Sequence, residues 1–238
     1  MGLEILFRAA CLIGGYCFGL FQTAFILGKL HHIDIREYGS GNSGATNALR
    51  VMGKRAGAMV FLGDFLKCFL ACLITRIIFN HVNPDMTIMM VIYTGLGVVL
   101  GHVFPFYMHF SGGKGVSSTA GAIVSLLDWR IILACLIVFV IVVAITRYVS
   151  LGSIILMVQM WGMFTAFILI QPEFYHVGAS YVVESIIVLA LLGGLSIYKH
   201  KANIGRLIRG EENKLGQKKK AAESEAEASG EGSTEEKA

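Results

Sequence analysis

Charged residues are scarce in this sequence. Asp, Glu, Lys and Arg make up 15% of its 238 residues, whereas hydrophobic residues make up 55%; a soluble domain usually carries about 25% charged residues. Proline is also rare, with three occurrences, while glycine occurs 28 times. This composition excludes an ordinary water-soluble domain and favours membrane helices, because small residues allow such helices to pack closely.

Cysteine spacings typical of metal sites are absent. The five cysteines lie inside apolar runs, with no C-x-x-C spacing and no histidine pair nearby. Cys68 and Cys72 share one face of a predicted helix, yet small buried packing residues are the simpler interpretation. We therefore predict no metal site.

Long apolar runs dominate the chain. A helix needs about 20 residues to cross a hydrocarbon core of about 30 Å. Seven runs approach this length: residues 5–27, 56–79, 88–108, 116–127, 131–146, 151–170 and 182–197. The run 116–127 is the weakest candidate because it is short and rich in Gly, Ser and Thr. The sequence predicts an all-α integral membrane protein with seven transmembrane helices.

Basic residues set the predicted orientation. Lys and Arg are concentrated in residues 29–55 and 199–220, and none occurs in the loops 80–85 and 171–180. Basic loops stay on the cytoplasmic side of the membrane. The prediction is an N-terminus outside, a cytoplasmic C-terminus and an odd number of crossings, which requires the run 116–127 to cross.

The C-terminal end has a different composition. From Gln217 onward, Lys, Ala, Glu, Ser and Gly follow one another without an apolar period, which cannot form a core. We assign residues 1–212 to a membrane-embedded domain and residues 213–238 to a disordered, charged cytoplasmic tail.

The first of three polar segments covers residues 40–50. Its two glycines allow unusual backbone angles, and its Ser, Asn and Thr side chains could surround an anion, with Arg50 available for bidentate contact. The candidate ligands are Ser40, Gly41, Asn42, Thr46, Asn47 and Arg50. An ordinary capped turn explains the same residue types equally well.

The second polar segment covers residues 101–116 and contains Lys114 among the glycines Gly112, Gly113 and Gly115. Glycines let the backbone approach an oxyanion, and the next helix start adds partial positive charge. The spacing does not match a Walker A loop. We favour an anion site over a flexible interfacial loop with a snorkelling lysine.

The third polar segment, residues 200–212, follows the last apolar run. If it is helical, His200, Asn203 and Arg206 share one face at i, i+3 spacing. Composition alone favours a different interpretation, namely a basic helix that rests on anionic lipid.

Isolated polar residues add two smaller hypotheses. Asp64 and Lys67 lie three residues apart inside the second apolar run, where ionisable groups usually face the protein interior. We interpret them as a structural pair, with support of Arg50 as the alternative. Ser150 and Ser153 could add hydroxyl donors to an anion site, although helix capping is an equally good explanation.

Taken in order, the three segments resemble a known family. They match S-G-N-x-G-A-T-N-x-x-R, then G-H-x-F-P with F-x-G-G-K-G-V, and then H-x-x-N-I-x-R-L-x-x-G-x-E. These patterns are typical of the bacterial acyl-phosphate:glycerol-3-phosphate acyltransferases, the PlsY family. The sequence departs at Ser43, where many members have Pro, and at Ala202, where Glu is common.

The resemblance implies transfer of a fatty acyl group from acyl phosphate to the 1-hydroxyl of sn-glycerol 3-phosphate, which gives lysophosphatidic acid and phosphate for phospholipid biosynthesis. It implies a seven-span enzyme of the bacterial cytoplasmic (inner) membrane, with its active site facing the cytoplasm and no cofactor, metal or acyl-CoA. Its expected partners are the two substrates, the lipid bilayer and, functionally, an acyl-ACP:phosphate transacylase, but no nucleic acid. A monomer is the working interpretation, and the sequence leaves the oligomeric state open.

Site roles follow from the resemblance and from charge. Two phosphorylated substrates repel each other unless cations compensate, and Arg50, Lys114 and Arg206 could supply that compensation. His200 and Asn203 would orient the attacking glycerol hydroxyl. The candidate catalytic residues are therefore His200, Asn203, Arg50 and Lys114. The candidate phosphate ligands are Ser40, Gly41, Asn42, Thr46, Asn47, Gly112, Gly113, Gly115, Ser150 and Arg206. Glu212 would brace the third segment. His200 is either a general base or a hydrogen-bond partner of the attacking hydroxyl, because the substrate phosphate could also accept the proton.

Two rival functions are weighed against this one. An acyl-CoA-dependent acyltransferase with an H-x-x-x-x-D pair is disfavoured, because no histidine has Asp five residues on. An organic-phosphate transporter could use the same basic loops as a vestibule. The sequence has no internal repeat that would favour it.

Overall fold

The computed structural model describes residues 2–216, so the predicted tail beyond Gly216 lies outside the described residues. Within that range the chain is all-helical, as predicted, with ten α-helices and three short 3-10 turns. The helices are α1 Gly2–Gly19, α2 Thr23–Leu30, α3 Ala45–Val82, α4 Thr87–Val103, α5 Val116–Ser125, α6 Trp129–Thr146, α7 Val149–Ile170, α8 Pro172–Tyr175, α9 Ala179–Lys199 and α10 Lys201–Ile208.

Six helical segments of the described chain are long and apolar enough to cross a membrane. They are Gly2–Leu30, Ala45–Val82, Pro84–Met108, Trp129–Thr146, Val149–Ile170 and Ala179–Lys199. Each corresponds to one of the predicted apolar runs. The remaining run forms α5, whose 10 residues rise only about 15 Å. This is about half of the hydrocarbon thickness.

Helix α5 nevertheless connects the two ends of the helical bundle. Before it, the carbonyl of Lys114 accepts a hydrogen bond of 2.8 Å from Ser196, near the C-terminal end of α9. After it, the carboxylate of Asp128 accepts a hydrogen bond from Tyr175, which lies between the end of α7 and the start of α9. The chain therefore passes from one end of α9 to the other between residues 114 and 128.

The first apolar run is not one continuous helix. Helix α1 ends at Gly19 and α2 begins at Thr23, and together they form the candidate span Gly2–Leu30 that covers the predicted run 5–27. The break frees backbone carbonyls, and the ammonium of Lys67 donates to that of Phe21 at 2.6 Å. The buried Gln22 side chain also donates to the carbonyl of Gly19, the last residue of α1, at 3.2 Å. These buried partners compensate the lost helical hydrogen bonds.

Helices α1 and α4 pack through small residues. Gly15 and Gly19 of α1 face Gly97 and Gly101 of α4, and both pairs have G-x-x-x-G spacing. A Cβ atom at any of the four would overlap a backbone carbonyl oxygen of the other helix. This close approach explains part of the high glycine content, since van der Waals packing associates helices in lipid.

A polar clamp stabilises the end of the bundle near the N-terminus. Arg8 of α1 donates to both carboxylate oxygens of Glu184 in α9, at 2.6 and 2.8 Å. Tyr93 of α4 donates to the same carboxylate at 2.7 Å. The clamp joins three helices far from the three predicted polar segments, and none of its residues was predicted to pair.

Cysteine packing agrees with the prediction for three residues. Cys68, Cys72 and Cys135 are buried in the apolar core, and all five cysteines are free thiols. Their role is therefore to fill space between helices, as small apolar side chains do.

The glycine contact predicts a position-specific loss of stability. Gly15→Ala should lower the free energy of unfolding by about 1–3 kcal/mol, because its Cβ overlaps the carbonyl of Thr94. The measurement is thermal unfolding of the purified protein in detergent. Gly14→Ala is the matched control, since its Cβ meets no atom within 4 Å. Equal melting temperatures for the two variants would contradict the packing.

Candidate active site

The three polar segments meet in one cavity of about 200 Å³. Its wall comes from the loop before α3, the first turns of α3, α5 and α7, and the region around α10. The predicted site residues that line it are Ser40, Asn42, Thr46, Asn47, Arg50, Lys114, Gly115, Ser150, His200, Asn203 and Glu212. Four other candidates, namely Gly41, Gly112, Gly113 and Arg206, do not line it.

A chain of hydrogen bonds joins the second and third segments. The Lys114 ammonium donates to Asn203 Oδ1 at 2.5 Å, and Asn203 Nδ2 donates to Glu212 Oε1 at 2.8 Å. Arg206 Nε donates to the other carboxylate oxygen of Glu212 at 2.8 Å. The buried carboxylate of Glu212 therefore holds Asn203 and Arg206 in place, and Asn203 in turn positions Lys114.

Two members of the predicted face reach the cavity. Asn203 of α10 and His200, the residue between α9 and α10, are both buried and line it, whereas Arg206 does not. Ala202 is exposed and does not line the cavity. The family carboxylate that Ala202 replaces would therefore not face the cavity here.

His200 presents a hydrogen-bond acceptor to the cavity. Its Nδ1 lies 2.8 Å from the carbonyl oxygen of Ser196. A carbonyl only accepts, so Nδ1 carries the hydrogen and Nε2 has the free lone pair. Burial lowers the pKa of His200 to about 4, against the opposing effect of the Ser196 bond, and the Lys114 charge lowers it further. The ring is therefore neutral near pH 7.

Positive charge in the cavity is only partly compensated. The guanidinium of Arg50 makes no hydrogen bond or ion pair with any residue in 2–216. Burial lowers the pKa of the Lys114 ammonium to about 8; the Glu212 carboxylate opposes this shift, and nearby cations, Arg206 foremost, add to it. A buried ammonium with a depressed pKa, close to a second cation, is a favourable place for an anion.

The first segment owes its shape to Asn47. Its Oδ1 accepts from the backbone N–H of Ser40 at 2.8 Å, and its Nδ2 donates to the carbonyls of Ile35 and Tyr38 at 3.1 and 3.0 Å. Both amide hydrogens are therefore used inside the loop. Asn47 orders the loop that carries Ser40, although its own amide was predicted as a phosphate ligand.

The glycine loop differs from the predicted phosphate nest. The N–H groups of Gly112 and Gly113 donate to the carbonyls of Val103 and His102, both at 3.1 Å. A Cβ atom at Gly112 would overlap the His102 carbonyl, and one at Gly113 would overlap the His102 ring. These two glycines allow the loop to pack against the last turn of α4. Asn42 Nδ2 also donates to the Gly112 carbonyl, at 3.3 Å, which connects the first two segments.

Ser150 brings a free hydroxyl to the cavity. The side chain is buried, and its Oγ has no hydrogen-bond partner among the described residues. Ser153, by contrast, donates to the carbonyl of Val149 at 2.8 Å. A bound ligand could therefore accept or donate a hydrogen bond at Ser150 without displacing an existing one.

One part of the cavity was not predicted as a site. Asp64 and His102 line it, and Lys67 connects them: its Nζ lies 2.8 Å from Asp64 Oδ1 and 3.0 Å from His102 Nδ1. The predicted pairing of Asp64 with Lys67 is confirmed. The sequence signal for a larger cluster was the presence of two ionisable residues inside an apolar run, but it did not reveal the third partner.

Comparisons with known proteins identify the family. The family model described as glycerol-3-phosphate acyltransferase matches residues 9–210. The glycerol-3-phosphate acyltransferase of Clostridioides difficile is 40% identical over 218 residues, which cover 91% of this chain and all of that protein. That of Halalkalibacterium halodurans is 38% identical over 208 residues, 87% of this chain and 95% of the relative.

Solved structures of PlsY, an integral membrane glycerol 3-phosphate acyltransferase, have the same fold. Its glycerol 3-phosphate form superposes with a TM-score of 0.73 at 32% identity, covering 88% of this chain and 96% of that one. Its lysophosphatidic acid form gives a TM-score of 0.71 at 32% identity, over 88% and 95% of the two chains. With the three motifs gathered around one cavity, these similarities establish that the chain belongs to the glycerol-3-phosphate acyltransferase family of PlsY.

Proposed function

We propose that this protein transfers a fatty acyl group from acyl phosphate to the 1-hydroxyl of sn-glycerol 3-phosphate. The products are lysophosphatidic acid and phosphate. Family membership supports the acceptor and the reaction class. The observation that carries the proposal is the single cavity in which Arg50, Lys114 and the neutral His200 meet.

Charge in the cavity favours a phosphorylated donor as well as a phosphorylated acceptor. The only cavity-lining carboxylates among the described residues are Asp64 and Glu212, and these are hydrogen-bonded to Lys67 and to Asn203 and Arg206. Arg50 and Lys114 are therefore left to neutralise incoming anions. Two phosphate groups held close together need such compensation. An acyl phosphate is also already activated, so positioning and charge stabilisation suffice.

The mechanism needs one proton acceptor near the attacking hydroxyl. The lone pair on His200 Nε2 accepts the hydrogen bond of the glycerol hydroxyl, whose oxygen then attacks the acyl carbonyl carbon. A new C–O bond forms, the bond from carbon to the phosphate oxygen breaks, and its electron pair leaves with phosphate. The hydroxyl proton passes to His200 or directly to a phosphate oxygen, and His200 orients the hydroxyl by either route.

The acyl chain reaches the cavity from the bilayer. Phe61 of α3 and Phe139 of α6 line the cavity together with Val116 and Val149. Phe61 is also 47% exposed on the outer surface of the bundle. An apolar wall that continues to a lipid-facing surface gives a long chain a path without exposing it to water.

We further infer seven crossings, with the N-terminus outside and the cavity facing the cytoplasm, in the bacterial cytoplasmic membrane. The passage of the chain between Lys114 and Asp128 supports α5 as a crossing in addition to the six long apolar segments. The basic segments around the cavity support the orientation. Residues 1–212 then form the embedded acyltransferase domain, with residues 213–238 as a charged tail. An acyl-ACP:phosphate transacylase would supply the donor to a monomeric enzyme.

A donor assay tests the reaction. Purified protein with acyl phosphate and glycerol 3-phosphate should form lysophosphatidic acid, detected by mass spectrometry, and acyl-CoA in place of acyl phosphate should give none. Proteoliposomes should show no uptake of labelled glycerol 3-phosphate in the absence of a donor. Uptake without product would favour the transporter, and product from acyl-CoA alone would overturn the assigned donor.

Site variants test the cavity. Arg50→Ala and His200→Ala should each lower kcat/KM by about 10²-fold or more, because each removes a charge or an acceptor at the reacting groups. Arg55→Ala and His31→Ala are matched controls, since both side chains are exposed and do not line the cavity. Near-normal turnover in both site variants, with melting temperatures unchanged, would show that this cavity is not the active site.

The depressed pKa of Lys114 predicts an alkaline limit. The ammonium carries its charge below its pKa of about 8 and loses it above, so kcat/KM for glycerol 3-phosphate should fall as the pH rises through about 8. Lys114→Arg should move this limb to higher pH, because a guanidinium stays charged. The exposed Lys54→Arg is the control. An identical alkaline limb in Lys114→Arg would assign the loss to another group.

A further inference from the structure

A second buried imidazole faces the same cavity. His102, in the last turn of α4, is 2% exposed and lines the cavity. It lies beneath the loop that carries Lys114, since a Cβ atom at Gly113 would overlap its Nε2. The mechanism above gives this ring no task.

The surroundings of Lys67 fix the tautomer of His102. The Lys67 ammonium has three hydrogens, and its three shortest contacts are the Phe21 carbonyl at 2.6 Å, Asp64 Oδ1 at 2.8 Å and His102 Nδ1 at 3.0 Å. The first two can only accept. The third hydrogen therefore points to Nδ1, which must be the unprotonated ring nitrogen. The hydrogen of the neutral ring is then on Nε2.

The Nε2–H group has no hydrogen-bond partner within residues 2–216. Gly113 packs against one side of this nitrogen, and the His102 ring lines the cavity. The N–H and carbonyl groups around it are occupied, because the carbonyl of His102 accepts from Gly113 and Gln22. An unpartnered donor in a largely buried cavity is suited to an oxygen that a substrate brings.

The two cavity imidazoles therefore have opposite roles. His200 donates through Nδ1 to Ser196 and offers a lone pair at Nε2, whereas His102 accepts at Nδ1 and offers a hydrogen at Nε2. Acyl transfer needs one of each: an acceptor for the attacking hydroxyl, and a donor for the carbonyl oxygen that becomes negative in the transition state.

We propose that His102 Nε2–H donates a hydrogen bond to the acyl carbonyl oxygen of the donor and stabilises the negative charge that develops there. The inference rests on the proposed acyl transfer. Lys67 neutralises Asp64 at this end of the cavity. This end therefore suits a neutral carbonyl, whereas the part of the cavity with Arg50 and Lys114 suits phosphates. No proton leaves His102 during the step. Lys67 and Asp64 are positioning residues that hold the tautomer.

Substitution of His102 tests the donor. His102→Leu should lower kcat by about 10²–10³-fold, the usual effect of losing one oxyanion donor, with KM for both substrates within about threefold of wild type. His102→Gln should retain a clearly larger share of kcat, because its amide nitrogen lies near the position of Nε2. The exposed His109→Asn is the control, and melting temperatures are measured for every variant.

The pattern of loss decides between catalysis and structure. A kcat for His102→Leu within threefold of wild type, a loss confined to KM, or equal losses in the Gln and Leu variants would overturn the proposal. If wild-type protein forms no lysophosphatidic acid from acyl phosphate, the proposed function itself fails. The two failures are therefore distinguishable in one set of assays.

A measurement without turnover tests the tautomer. In the purified full chain with ¹⁵N-labelled histidine, the NMR signals lost in His102→Gln identify His102. They should show hydrogen on Nε2 in the wild type, and Lys67→Met should abolish this preference, because Nδ1 then loses its donor. His200 should show hydrogen on Nδ1 in both proteins. Hydrogen on Nδ1 of His102 in the wild type would overturn the proposal whatever the folding or activity of the variants.

Discussion

The buried ammonium of Lys67 is the interaction on which the arrangement of the site depends. A charge inside a membrane protein is tolerated only when its donors are all used, and Lys67 finds acceptors in three different elements. These are the carbonyl of Phe21 at the break between α1 and α2, Asp64 in α3 and His102 in α4. One ammonium therefore connects the helix break, α3 and the last turn of α4, and this turn of α4 supports the glycine loop.

A second constraint acts around the cavity itself. Glu212 is the carboxylate that braces the third segment, and through Asn203 it positions Lys114, while Arg50 remains without an ionic partner in the described chain. The site is thus built with a deficit of negative charge. Burial lowers the pKa of Lys114, nearby cations add to this shift, and a bound phosphate would oppose it. Affinity for anions and a depressed lysine pKa are two consequences of one arrangement.

Glycine acts sterically at two places in this protein. In α1 and α4 it lets two backbones approach each other, and at Gly112 and Gly113 it lets a loop pack on His102. Direct contact of these two N–H groups with phosphate was the expectation from sequence, but their hydrogens go to the carbonyls of α4. The loop therefore serves the site indirectly, by placing Lys114 between α4 and α10.

The sequence by itself determined the class of protein, the apolar helices, the family and the inventory of cations and polar groups, because hydropathy and motif order are local properties of the chain. It also predicted the pairing of Asp64 with Lys67, three residues apart. Only the tertiary structure decided the break in the first helix, the internal role of Asn47 and the contact of Lys67 with His102 Nδ1. Each of these depends on hydrogen-bond partners that local periodicity does not encode: Lys67 and His102 are 35 residues apart, and Lys114 and Asn203 are 89 apart.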